Sequence, residues 1–111
     1  RQRQMCIRDR SFAAKFNRFQ DTLGDKLLPR ILDWVAEPVG PFIDNLDRAE
    51  RLGWLRSADR WVQARRLRNR LVHEYVDDPV EFAAALNLAN RFIDELLETR
   101  RHFERVFVEH A

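Results

Sequence analysis

The chain has 111 residues, 45% hydrophobic and 34% charged, with three glycines and four prolines, which is one domain's length and a helix-favouring composition. A single Cys excludes an internal disulfide framework, and no apolar run approaches the roughly 20 residues that cross a bilayer, so a cytoplasmic protein off the membrane is expected. The formal net charge is +2, but residues 1–10 hold four of the 20 Lys and Arg and one of the 18 Asp and Glu, so the remainder carries 16 against 17 and overall basicity excludes nothing and proves nothing about nucleic acid.

Residues 1–10 show neither a helical nor a strand period and hold the only Met (Met5) and the only Cys (Cys6). They resemble translated adapter sequence more than native chain and are set aside as a non-native or disordered segment. On that reading the native start, with a turn or more of the first helix, is missing, and residues 11–111 form one helical domain.

Ser11 is the expected N-cap of a first helix over 11–36. Phe12, Phe16, Phe19, Leu23, Leu27, Ile31 and Val35 recur at spacings of four and three, an apolar stripe on one face. Gly24 and Pro29 interrupt the pattern and predict a kink near 24–29. Glu37-Pro38-Val39-Gly40 ends the helix.

Pro41 opens a second helix over 41–52, with Phe42, Ile43, Leu46, Ala49 and Leu52 inward and Gly53 in the left-handed position after its end. Trp54 and Leu55 form a hydrophobic plug. Ser57 caps a third helix over 58–75. Asp78, Pro79 and Glu81 have the cap, first-position and third-position chemistry of a fourth, over 79–108. Its inner face runs through Phe82, Leu86, Ala89, Phe92, Ile93, Leu96, Leu97, Phe103 and Phe107. Strand alternation is absent, and the sum is an all-α fold, an antiparallel four-helix bundle with Trp34, Trp54 and Trp61 in the core or at helix ends. Apolar surface left on the long first and fourth helices suits a second copy.

The chemistry gathers in Arg68-Asn69-Arg70-Leu71-Val72-His73-Glu74-Tyr75. On a wheel centred on Ala64, Trp61, Leu67, Leu71, Val72 and Tyr75 form the inner stripe, and Arg68 falls inside it at about 40°. A guanidinium there must meet carboxylates, with Asp21, Asp44 and Asp94 as candidates, or open onto a cleft. Asn69 and His73, four apart, share another edge beside Arg65 and Arg66. Histidine trades a proton near neutral pH, and arginine presents a permanently charged fork matched to phosphate oxygens. Together they suit metal-free RNA cleavage, in which a base deprotonates the 2′-hydroxyl for attack on phosphorus while arginine steadies the developing charge. Arg60, Arg65, Arg66, Arg68 and Arg70 precede His73 with no acidic residue among them, a stripe suited to a phosphate backbone. Arg68 and His73 point about 140° apart on an ideal helix, which argues for a dimer whose third helices share one cleft. Simpler readings exist for each residue: His73 as a partner of the helix dipole, the arginines as a solvated face, Tyr75 as a core aromatic.

Taken jointly, Arg68-Asn69 followed by His73 and Tyr75 on an all-α bundle resembles the signature of the HEPN superfamily. The Arg-x4-His-x-Tyr form is similar to that of toxins from HEPN–minimal nucleotidyltransferase pairs. The resemblance implies a metal-independent endoribonuclease acting as a homodimer on tRNA or mRNA, with Arg68 and His73 catalytic, Asn69 supporting, and Arg65, Arg66 and Arg70 on RNA phosphates. It further implies a nucleotidyltransferase antitoxin as partner, with Tyr75 as a possible AMP acceptor, and neither metal nor cofactor. Its alternative is a HEPN module that binds the nucleotidyltransferase and cleaves nothing.

Overall fold

The computed structural model describes residues 7–73 and 78–111, and of His73 the backbone alone. Residues 1–6 and Glu74, Tyr75, Val76 and Asp77 lie outside the described residues, and with them the expected inner-stripe place of Tyr75 and the last two residues of the third helix. Five α-helices and one π-helical segment make up the described chain: α1 (Ile7–Asp21), the π segment (Thr22–Leu27), α2 (Leu28–Trp34), α3 (Phe42–Arg51), α4 (Ala58–His73) and α5 (Pro79–Glu109). No strand occurs among the described residues, so the fold is all-α.

The first of these elements corrects the expected start. Ile7–Arg10 are helical, so Ser11 lies inside α1 and caps nothing. Arg8, Asp9 and Arg10 carry no helix breaker, and Asp9 sits in the first turn, where an acid favours the helix dipole. Where the sequence predicts a kink, near 24–29, α1 runs through the π segment directly into α2, with Pro29 in the first turn of α2. A proline ring clashes with the carbonyl four residues back, and the wider π turn relieves that clash without ending the helix. The extra residue also shifts the inward face. Phe16 is buried before the segment, Leu23 within it, and Leu28, Ile31 and Leu32 after it.

Three helix boundaries follow the capping chemistry. Gly53 takes φ +81°, its N–H donates to the Glu50 carbonyl, and the Trp54 N–H reaches the Ala49 carbonyl at 2.9 Å. These bonds close α3 and turn Trp54 and Leu55 into the core. Ser57 Oγ accepts from the Arg60 N–H at 3.2 Å, while the Glu50 carboxylate accepts from the Ala58 N–H at 2.6 Å, so two orphan donors of α4 are satisfied. Asp78 accepts from the Glu81 N–H at 3.1 Å ahead of Pro79. A fourth end was not expected in this form. Ala36 has φ +62° and closes α2 through bonds from its own N–H to Asp33 and from the Glu37 N–H to Leu32, a conformation glycine adopts more easily.

The core joins Phe16, Leu23, Leu28, Ile31 and Leu32 to Leu46 and Ala49 of α3, Trp61, Ala64, Leu67 and Leu71 of α4, and Phe82, Ala89, Phe92, Leu96 and Phe103 of α5. Three expected inner residues face outward: Ile43 is 50% exposed, Leu52 40% and Val72 42%. Each lies at the margin of its stripe, where neighbours one turn away already close the interface. Phe107 and Trp34 are likewise partly exposed and pack on each other at 5.8 Å, an aromatic pair at the helix ends.

Gly24 permits a close approach at the centre. A Cβ there would lie 3.0 Å from Phe42 Cε1 and 3.2 Å from Trp61 Cζ3. The π segment therefore packs backbone-close on α3 and α4, which brings the carboxylates beside it within reach of α4's arginines.

Candidate functional site

Helix α4 carries Arg60, Arg65, Arg66, Arg68 and Arg70, and the structure divides them into two groups. The first group is fixed by carboxylates of neighbouring helices. Arg68 donates from Nε to Asp21 Oδ1 at 3.0 Å and from Nη2 to Asp21 Oδ2 at 2.8 Å, a two-point fork. Arg65 donates from Nη2 to Asp25 at 2.7 Å and from Nε to Gln20 Oε1 at 3.2 Å, with its guanidinium 4.1 Å above the Phe42 ring. Arg60 bonds Glu95 of α5 through Nε at 2.9 Å and through Nη2, and lies 4.4 Å over Phe92.

Of the candidate partners for Arg68, the structure selects Asp21. Both side chains are 28% exposed, so the pair sits at the margin of the core. The hydrogen bonds that Arg68 donates to Asp21 raise its pKa further above the ordinary range, with burial opposing and the charges of Asp21 and Asp25 adding to the rise. The third polar contact is local: Arg68 Nη1 donates to Asn69 Oδ1 at 3.3 Å. Arg68 and Asn69 therefore form one cluster, and two of the five guanidinium N–H groups stay outside these bonds.

Arg66 and Arg70 form the second group. They are exposed, and neither makes an ion pair among the described residues. With Gln63, Leu67, Leu88 and Phe92 they line a groove of about 230 Å³ between α4 and α5. The grouping of Arg65 with Arg66 and Arg70 in the sequence is thus divided, since Arg65 spends its fork on Asp25 and Gln20. The His73 side chain and Tyr75 lie outside the described residues. The α4 backbone runs through position 73, seven residues beyond Arg66.

Two participants escaped the sequence reading. Gln20 is fully buried, gives its Oε1 to Arg65, and leaves its Nε2 without a partner among the described residues. Asn45, also buried, clamps the loop before α3: its Oδ1 accepts from the Gly40 N–H at 2.8 Å and its Nδ2 donates to the Gly40 carbonyl at 2.9 Å. Both had a visible signal. Gln20 falls four after Phe16 and three before Leu23, and Asn45 falls four before Ala49, so each is a polar residue on an apolar stripe.

Among the described residues no three His, Cys, Asp or Glu side chains group as metal ligands, and no helix is long and apolar enough to cross a membrane. Comparisons with protein-family models, with curated proteins and with solved structures return no match.

Proposed function

We propose that this chain is a HEPN-type four-helix bundle and a metal-independent endoribonuclease, the toxin of a cytoplasmic toxin–antitoxin pair, acting as a homodimer. The observation that carries the reading is the Arg68–Asn69 cluster. The first two motif residues are bonded to each other at a half-exposed margin, with the guanidinium plane fixed by Asp21 and two of its N–H groups uncommitted. A fork fixed in this way loses little freedom when it meets a phosphate, which is the electrostatic preorganisation that phosphoryl chemistry rewards.

In the proposed reaction the His73 imidazole takes the proton of a ribose 2′-hydroxyl. The freed oxygen attacks the adjacent phosphorus, and the 5′-oxygen leaves with a proton, giving a 2′,3′-cyclic phosphate and a 5′-hydroxyl end. Arg68 steadies the non-bridging oxygens, and Asn69 holds the Nη1 side of the guanidinium. Two copies meeting along α4 set residues from both chains around one cleft. The partner is a minimal nucleotidyltransferase, and AMP added to Tyr75 would place negative charge where RNA phosphate has to sit.

One observation favours a second reading. The closed Arg68–Asp21 pair lowers the net charge at the motif, as suits a module that docks the nucleotidyltransferase without cleaving RNA. Expression of the wild type alone separates the two. Growth arrest with RNA carrying cyclic-phosphate ends, both abolished by His73→Ala, supports the nuclease. Normal growth and intact RNA, with the nucleotidyltransferase still bound, establish the module.

A further inference from the structure

We infer that Arg66 and Arg70 form a two-phosphate clamp at the mouth of the α4–α5 groove, through which single-stranded RNA is held by its backbone without regard to sequence. The inference deepens the RNA reading above and rests on it. Its basis is the partition among α4's arginines. Arg60, Arg65 and Arg68 each pair with a carboxylate, so among the described residues the α4 arginines without an ion pair are Arg66 and Arg70. These two stand one turn apart on the same face, offset along the axis by about 6 Å. That offset is comparable with the separation of neighbouring phosphates on one strand.

The groove selects an occupant by charge and by size. None of its six lining residues is acidic, and Gln63 adds an uncharged donor one turn before Arg66 and Leu67. Its volume of about 230 Å³ lies below the range of roughly 300 Å³ and more typical of sites that enclose a small molecule. The Phe92 ring is buried in its floor and carries the Arg60 guanidinium on one face, so it is no stacking platform for a base. What fits is a phosphodiester on the two guanidiniums with its ribose against Leu88. By helix register, position 73 follows Arg66 at about −20°, whereas position 68 lies about 200° away. The clamp therefore occupies the side of α4 along which position 73 falls, the side that Arg68 alone does not reach.

Binding of a fluorescein-labelled mixed-sequence RNA 12-mer, measured by anisotropy over a series of salt concentrations, tests this without requiring cleavage. His73→Ala serves as the reference protein, so the RNA stays intact. Introducing Arg66→Gln and Arg70→Gln together should weaken binding by about tenfold or more and lower the slope of log K against log salt by about 1.4, near 0.7 for each phosphate lost. Arg101→Gln/Arg105→Gln, on exposed positions of α5, should leave both unchanged, and circular dichroism verifies the fold of each variant. An Arg66→Gln/Arg70→Gln protein that binds with the reference slope and affinity overturns the clamp while the RNA reading stands. If the reference protein itself binds no RNA, the RNA reading fails and the clamp fails with it. A binding defect that differs strongly between poly-U and mixed-sequence RNA overturns the claim of backbone recognition.

Discussion

Arg68 grips Asp21 across two helices, Nε to Oδ1 at 3.0 Å and Nη2 to Oδ2 at 2.8 Å, forty-seven residues apart in the chain. Asp21 is the last residue of α1, immediately before the π segment, and Asp25 inside that segment takes Arg65. Two carboxylates four residues apart thus meet two arginines three residues apart, and Gln20, the residue before Asp21, also accepts from Arg65. The pairs join the widened turn to α4 and fix the orientation of the motif's first residue.

The fork geometry makes a specific demand. Lysine has one point of charge and cannot span both carboxylate oxygens, so Arg68→Lys should behave as a loss and not as a conservative change. A double-mutant cycle with Arg68→Lys and Asp21→Asn, followed by urea denaturation, should return a coupling of about 1 kcal/mol, the scale of a well-formed pair near the surface. Additive effects would show that the two-point contact contributes nothing in solution.

Gly24 leads to a second expectation. Any side chain there meets the Phe42 ring at 3.0 Å and the Trp61 ring at 3.2 Å. The roughly 1 kcal/mol that a better helix former contributes is set against an overpacking cost of about 1–3 kcal/mol. A branched residue tips the balance, and Gly24→Val should lower the urea midpoint by the equivalent of about 2 kcal/mol. A neutral Gly24→Val would mean that α3 and α4 stand further from the π segment than described.

The sequence was most informative where one residue type has one local job. Ser57, Asp78 and Gly53 act through bonds to their own near neighbours, so their roles could be read without knowing the fold. The π turn could not be read in that way. Apolar spacings of four and three suit a plain α-helix as well as one with a wide turn, and only the passage from Leu23 to Leu28 on the buried face carries the extra residue. The arginine partners were equally hidden. Asp21, Asp44 and Asp94 were comparable candidates for Arg68, and the choice depends on how close Gly24 lets the π segment come. For the motif, placement of Arg68 and Asn69 followed from helical phase. The split between paired and unpaired arginines required the positions of Asp21, Asp25 and Glu95.

Ala36 offers a gain in stability. It holds φ +62° as the residue that closes α2, a region where a Cβ crowds the backbone. Ala36→Gly removes that crowding while keeping the bonds from residues 36 and 37, and the relief exceeds the added freedom of glycine in the unfolded chain. The expected gain is about 1 kcal/mol, which for a domain near this size raises Tm by about 4–8 °C. An unchanged or lower Tm would mean that the left-handed turn carries no strain.

The pair between Arg56 and Glu98, 3.1 Å apart, sets a pH dependence with a definite sign. The hydrogen bond from Arg56 is the main cause that holds the Glu98 carboxyl below its ordinary value of 4.5; burial opposes it, and the charge of Arg56 reinforces it. Because the folded-state pKa is depressed, the contribution is present above the unfolded value and is lost as pH falls through the folded one. Thermal unfolding followed below about pH 5 should therefore show a shallower acid decline for Glu98→Gln than for the wild type. Both groups are exposed to solvent, so the difference should shrink in 1 M salt, where the Debye length is about 3 Å. Parallel acid limbs for the two proteins at low salt would show that this bond does not persist in solution.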